Sequence, residues 1–237
     1  MRRFFSDEID DKVARLDSDE AKHARDVLRL RVGDEISVFD GEGNEFEARL
    51  TLLTKSEATA EVIRSVEPSA PESPVTITLA SVVIPGDKYD LIVQKAVELG
   101  VVNFVPLASV RSEVKLKDHS KKLTRWRRIA LDAAKQCGRA TLMSIAEPAD
   151  VAEFLAQDHE GEKIFFSERD GAKLPAFAQP NKLTIVIGPK GGWDDKEIET
   201  AKRHDFNIVT LGGRIMRAET AAIALTAILQ HRFGDIN

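Results

Sequence analysis

Residues 186–199, VIGPKGGWDDKEIE, decide how the larger part of this chain is read. An apolar run of strand character, LTIVI (183–187), empties into a turn with three glycines, and an acidic stretch then opens a helix. Strand, glycine turn and helix in that order are the unit from which parallel sheets with covering helices are built. Ligands of such sheets bind beyond the carboxyl ends of the strands. The turn is therefore a candidate site, and its chemistry can be narrowed. A Walker A phosphate loop needs G-x-x-x-x-G-K-[ST], whereas here Lys190 precedes the paired glycines and no Ser or Thr follows. The dinucleotide fingerprint G-x-G-x-x-G is absent as well.

Working outward, the same strand–helix alternation holds from residue 75 onward. VTITLASVVI (75–84) predicts a buried strand, and in the helix that follows Tyr89, Ile92, Val93, Ala96 and Val97 share one face before Gly100 ends it. VVNFVPL (101–107), KIFFS (163–167) and NIVTLG (207–212) predict further strands. DHSKKLTRWRRIALDAAKQCG (118–138) predicts a helix with Leu123, Trp126, Ala130, Ala133 and Cys137 inward, and ETAAIALTAILQHRF (219–233) a final one. A second glycine turn, Gly212–Gly213, ends the strand at 207–212. Two such turns at neighbouring strand ends let main-chain groups approach a ligand without an intervening Cβ, and Ile215 and Met216 supply an apolar wall.

Upstream the period changes to two. Ile36 and Val38, then Phe46, Ala48, Leu50 and Leu52, then Ala58, Ala60 and Val62 alternate across strands, with the turn DGEGNE (40–45) marking a hairpin. DSDEAKHARDVLRL (17–30) predicts a short helix capped by Asp17 with Glu20 three residues on. The proline-rich EPSAPESP (67–74) reads as a linker. The sequence thus predicts a small β domain over 1–70 and an α/β domain over 74–237.

Composition excludes several classes. No apolar run approaches the roughly 18 residues of a membrane span, and the opening MRRFFSDEID lacks a signal-peptide core. A lone cysteine, Cys137, forms no internal disulfide, which suits a reducing cytoplasm. The five histidines are scattered without metal-ligand spacing, and no G-x-S-x-G elbow is present. A net charge of −5 argues against indiscriminate nucleic-acid coating, yet ten Lys/Arg face three acids between Arg111 and Arg139.

VIGPKGGWDDKEIE followed by LGGRIMRAETAAIAL (211–225) resembles the 16S ribosomal RNA uracil-N3 methyltransferases, family E of the small-subunit enzymes and members of the knotted SPOUT class. RRFF (2–5), DLIVQKAVELGV (90–101), VPLASVRS (105–112) and AAKQCGR (133–139) resemble family segments too. The resemblance implies a PUA-like β-barrel, a knotted α/β domain with a deep trefoil, a homodimer, and cytoplasmic work on 16S rRNA in the small ribosomal subunit. It implies S-adenosyl-L-methionine as cofactor and no metal. Cofactor binding carries over to Ile187, Gly188, Pro189, Gly191, Gly192, Leu211, Gly212, Ile215, Met216, Thr220 and Ala221. Two residues depart from the family pattern. Lys190 stands where it has Glu, and Met216 where it has Leu, the latter a volume-conserving exchange.

N3 of uracil carries a proton at neutral pH, so a base or a cation near its carbonyls must lower the barrier. Arg217 and Glu219 are the candidates: Arg217 to hold carbonyls or a phosphate, Glu219 to accept the proton or orient Arg217. Glu219 also suits the positive end of the final helix on structural grounds alone. Backbone phosphates are expected at Arg2, Arg3, Arg111, Lys115, Lys117, Arg125, Arg127, Arg128 and Arg139. One of Phe4 and Phe5 is expected in the β core, the other free to stack on a base. Three other readings stay open: an assembly factor on the same fold without catalysis, a methyltransferase for another nucleotide or a ribose 2′-OH, and a nucleotide hydrolase.

Overall fold

The computed structural model describes residues 2–114 and 119–236; Lys115 and Lys117 lie outside the described residues. The chain forms two compact units, Met1–Glu72 with Leu131–Leu142, and Ser73–Ala130 with Met143–Asn237.

The first unit is a curled six-stranded sheet built from β1 (Arg3–Phe5), β2 (Glu8–Ile9), β3 (Val13–Leu16), β4 (Glu35–Phe39), β5 (Glu45–Leu53) and β6 (Ala58–Val66). The strand order is β1-β4-β5-β6-β3-β2, antiparallel throughout except for the parallel β1–β4 pair. The period-two residues decide the faces: Ile36, Val38, Ala48, Leu50, Ala58 and Ala60 pack with Phe4 into one core, while Leu52 turns outward. Each large apolar side chain so buried stabilises the unit by roughly 1.5–3 kcal/mol. Phe4 is the core residue of its pair; Phe5 is half-buried against Phe39 at 5.6 Å between ring centroids. Buried Ser6, just after β1, ties β4 to β3 by donating its N–H to the Phe39 carbonyl at 3.1 Å and its hydroxyl to the Arg15 carbonyl at 2.5 Å. Helix α1 (Ser18–Lys22) starts at Asp17, whose carboxylate accepts the Glu20 N–H, and runs into a π-turn over His23–Val27.

Residues 131–142 complete this unit. Arg3 donates to the Ala134 and Arg139 carbonyls at 3.0 and 3.1 Å, pairs with Glu45 at 3.0 Å and lies over Phe39. A cation on the last carbonyls of a helix is favoured by the helix dipole. Arg139 is buried and pairs with Glu72 at 2.7 Å. Both guanidiniums are therefore committed inside the unit, which corrects their assignment to backbone phosphates.

The second unit is a seven-stranded, wholly parallel sheet. In chain order it contains β7 (Thr76–Val82), α2 (Asp87–Glu98), β8 (Val101–Ala108), the part of α3 (Ser120–Cys137) up to Ala130, β9 (Ser144–Ile145), β10 (Ala149–Asp150), α4 (Val151–Leu155), β11 (Glu162–Phe166), β12 (Lys182–Ile187), α5 (Asp195–Arg203), β13 (Asn207–Val209) and α6 (Ala218–Phe233). The order is β10-β8-β7-β12-β11-β13, with β9 beside β8. Burial on both faces accounts for the largely apolar character of β12 and of the carboxyl half of β7. Strand β12 lies at the centre, between β7 and β11, so the turn at its carboxyl end opens over the middle of the sheet. Among the described residues no helix is long and apolar enough to cross a membrane, and no cluster of His, Cys, Asp and Glu could hold a metal.

Candidate active site

Three loops leave the carboxyl ends of β11, β12 and β13 and enclose a cavity of about 630 Å3. Phe166, Ser167 and Glu168 come from the first loop, residues 187–193 from the second, and residues 210–217 from the third, with Ala218, Ala221 and Leu225 of α6 closing one side. The volume lies in the range that holds a drug-sized ligand, roughly 300–1,000 Å3.

Trp193 fixes the second loop. Its indole is fully buried, stacks on Phe165 with centroids 4.3 Å apart, and donates its N–H to the Phe166 carbonyl at 2.7 Å. A Cβ on Gly188 would stand 2.7 Å from that ring, and one on Gly192 would stand 2.5 Å from Glu168 Oε1. Gly192 also has φ +71°, a conformation only glycine adopts without strain. Both positions therefore call for glycine, Gly188 because the buried ring cannot yield and Gly192 because of its backbone conformation. The third loop is built differently: Gly212 and Gly213 face open space, and Ile215 is 87% exposed.

Downstream of the turn, Asp194 and Glu197 form a capping box at the start of α5. The Glu197 carboxylate, itself buried, accepts the Asp194 N–H at 3.0 Å and also the Val110 N–H at 3.1 Å and the Ser109 hydroxyl at 3.2 Å. It thereby ties the loop after β8 to the glycine turn.

Of the eleven residues expected to hold a cofactor, ten line the cavity: Ile187, Gly188, Pro189, Gly191, Gly192, Leu211, Gly212, Ile215, Met216 and Ala221. Thr220 does not line it, being on the first turn of α6. Arg217 lines it from the N-cap position of α6, where its carbonyl accepts the Ala221 N–H. Glu219 lies outside the lining and pairs with Lys88 at 3.1 Å. Burial alone would raise its carboxyl, but its own backbone N–H, Lys88 and Arg217 outweigh that and hold it below the usual carboxylate range. Lys190 reaches Glu113 at 3.4 Å, so its charge has a partner outside the glycine turn.

Phe166, Ser167, Glu168, Trp193 and Arg214 line the cavity without having been singled out from the sequence. The readable signal was the polar stretch SER (167–169) that follows the apolar IFF of the strand segment. Among the basic residues of the second unit, Arg111 pairs with Asp194 at 3.5 Å and Arg125 with Asp90 at 2.9 Å. Arg127 donates to the Ile145 carbonyl, while Arg128 is exposed with no partner among the described residues. Arg2, in the first unit, is exposed.

Comparison with known proteins agrees with this arrangement. The family model for the RNA methyltransferase domain matches residues 71–230, and that for the RNA methyltransferase PUA domain matches residues 16–63. A parallel sheet with this cavity and a PUA unit define the chain as an RNA methyltransferase by class. Ribosomal RNA small subunit methyltransferase E of Aquifex aeolicus is 30% identical over 98% of this chain and 100% of its own. The enzyme of that name from Neisseria gonorrhoeae, solved bound to S-adenosyl methionine, is 35% identical, with a TM-score of 0.92 over 100% of both chains. A protein from Legionella pneumophila solved with the bound cofactor SAM is 29% identical, with a TM-score of 0.93 over 99% of both. The chain belongs to the ribosomal RNA small subunit methyltransferase E family.

Proposed function

We propose that this chain transfers a methyl group from S-adenosylmethionine to N3 of a uridine in 16S rRNA of the small ribosomal subunit. The observation that carries the reading is the cradle at Gly188 and Gly192, where the buried Trp193 ring and the positive φ of Gly192 call for glycine at the wall of a cavity of ligand size. Its residues fit the cofactor. Main-chain N–H and C=O groups of 187–192 and 211–212 suit the adenine and ribose, and Ile215, Met216 and Leu225 cover apolar surface. Glu168 offers a carboxylate to the cationic or hydroxyl-bearing portion. When bound, S-adenosylmethionine supplies an electrophilic methyl on its sulfonium.

The remaining work is orientation and charge. Arg217, at the cavity wall, is the cation suited to the carbonyl oxygens of a uracil whose N3 proton passes to solvent as the N3–methyl bond forms and the sulfonium C–S bond breaks. Glu219 is held ionised beside Lys88, which suits a carboxylate that positions Lys88 and Arg217 better than one that takes up a proton. Exposed Arg2, Arg111, Arg125, Arg127 and Arg128 are the residues proposed for backbone phosphates, with Lys115 and Lys117 beside them in sequence.

A homodimer is part of the reading. Helix α6 carries apolar residues all round, with Ile228 41% exposed, as expected of a helix covered on a second side. The deep trefoil also belongs to it, supported by a strand order in which β12 lies between β7 and β11, and so does a cytoplasmic location. Calorimetric titration with S-adenosylhomocysteine, with ATP as control, tests the cofactor. Mapping the methyl group on small-subunit rRNA tests the acceptor. Cofactor binding without any methylation would favour an assembly factor, and a methyl group on another atom would overturn the N3 assignment.

A further inference from the structure

We propose that Arg169 is a positioning residue for the cavity: by tying the loop after β11 to the exit of the glycine turn, it sets the Glu168 carboxylate at the wall. The inference deepens the cofactor reading above and rests on it for the identity of the ligand. Arg169 does not itself line the cavity. Its guanidinium joins the parts that do. Nη2 donates to the Trp193 carbonyl at 2.9 Å and to Asp195 Oδ1 at 2.7 Å, and Nη1 donates to Asp170 Oδ2 at 3.0 Å. Nε lies 3.5 Å from Glu168 Oε1.

The backbone that carries this side chain is fixed on its far side. The Ser167 N–H donates to the Val209 carbonyl and the Ala172 N–H to the Ile208 carbonyl, both at 3.0 Å, so residues 167–172 are anchored at both ends on β13. Between the anchors Asp170 sits at φ +60°, a left-handed conformation that costs a side-chain-bearing residue energy and concentrates at functional positions. In that bend its carboxylate accepts from Arg169. One residue thus joins the loop pinned to β13 with the turn that follows β12.

A guanidinium suits this place better than an ammonium. Four acceptors converge on one planar cation, whose fork presents donors at fixed angles, whereas a lysine offers a single swivelling head. Its charge also offsets three anions, Glu168, Asp170 and Asp195. Without it their mutual repulsion would favour swinging the Glu168 side chain, 31% exposed, away from Gly192 and toward water. Held in place, the carboxylate faces the cavity as a fixed anion, the chemistry that recognises an ammonium or a pair of hydroxyls. S-adenosylhomocysteine carries both.

The test is a double-mutant cycle of R169Q and E168Q in the full chain, read by calorimetric titration with S-adenosylhomocysteine. R169Q alone is expected to weaken binding about tenfold, and in the E168Q background by less than about threefold, because the group it positions is gone. R169K, which keeps the charge without the fork, should lose less than R169Q, and it keeps the cycle readable where the glutamine variant unfolds. Equal losses in both backgrounds, or an affinity unmoved by R169Q, would overturn the proposal. Hydrogen exchange without ligand supplies an independent reading: R169Q should quicken exchange at 167–172, and E168Q should not. A chain that binds no S-adenosylhomocysteine at all sinks the cofactor reading, and unchanged exchange in R169Q then sinks the positioning role separately.

Discussion

The indole of Trp193 occupies the space that a side chain on Gly188 would need, its Cε2 atom lying 2.7 Å from the position of a Cβ. Because the ring is fully buried and hydrogen-bonded to the Phe166 carbonyl, it cannot yield cheaply. Gly188→Ala is expected to destabilise the second unit by about 1–3 kcal/mol, as overpacking does, and to weaken S-adenosylhomocysteine binding. Thermal unfolding and calorimetry measure the two effects. An alanine variant that binds normally would refute the cradle.

Glu219→Gln separates two roles. The carboxyl lies below the usual range, so it is ionised across roughly pH 6–9 and does not titrate there. Turnover is expected to fall roughly 10- to 100-fold with little change in KM for RNA, as when a charge that supports the transition state is lost, and the pH profile keeps its shape. Unchanged turnover at saturating RNA would remove Glu219 from the site.

In the first unit, Glu45 gives a pH-dependent stability. Burial pushes its carboxyl up, but Arg3, Ser37 and the Ser69 N–H together pull it below the ordinary 4.5. A lowered carboxyl contributes stability that is present above the ordinary value and is lost as pH falls through the folded one. Glu45→Gln leaves Arg3 buried without its counter-charge, so it should cost about 3 kcal/mol at neutral pH. The gap to the unsubstituted chain should close below pH 4.5. A gap independent of pH in chemical denaturation would exclude the charge pair as its cause.

Arg128 and Arg139 should respond oppositely. Arg128→Gln is expected to leave stability alone and to lower the salt slope of RNA binding by about 0.8. Arg139→Gln, which removes a buried hydrogen-bonding partner of the partly exposed Glu72, is expected to lose about 1–3 kcal/mol of stability with the slope unchanged. Salt titrations and unfolding curves on the same two proteins decide the matter.

What the sequence disclosed was whatever local periodicity and turn chemistry encode. Asp17 caps its helix, Gly100 ends α2 at φ +73°, and the glycine turns stand at the carboxyl ends of β12 and β13 as their flanking runs require. What stayed hidden depends on partners distant in the chain. The pattern of 118–138 is one continuous amphipathic helix, so nothing in it says that residues from Leu131 on group with the β unit. Arg3 and Arg139 look like any surface cations until Glu45 and Glu72 are brought to them. Glu168 follows a strand in sequence as an ordinary loop residue, and only the parallel pairing of β11 with β12 carries it to Gly192.

The Glu197 carboxylate sets an asymmetry in how the cavity can admit anything. Displacing the 188–193 rim together with Asp194 and the start of α5 would cost a buried anion its donors on Ser109 and Val110. The opposite rim, 210–217, has no such anchor at its tip: Gly212 and Gly213 border open space and Ile215 stands in solvent. Traffic into the cavity thus falls to one jaw, and the other serves as the fixed anvil against which a ligand is aligned.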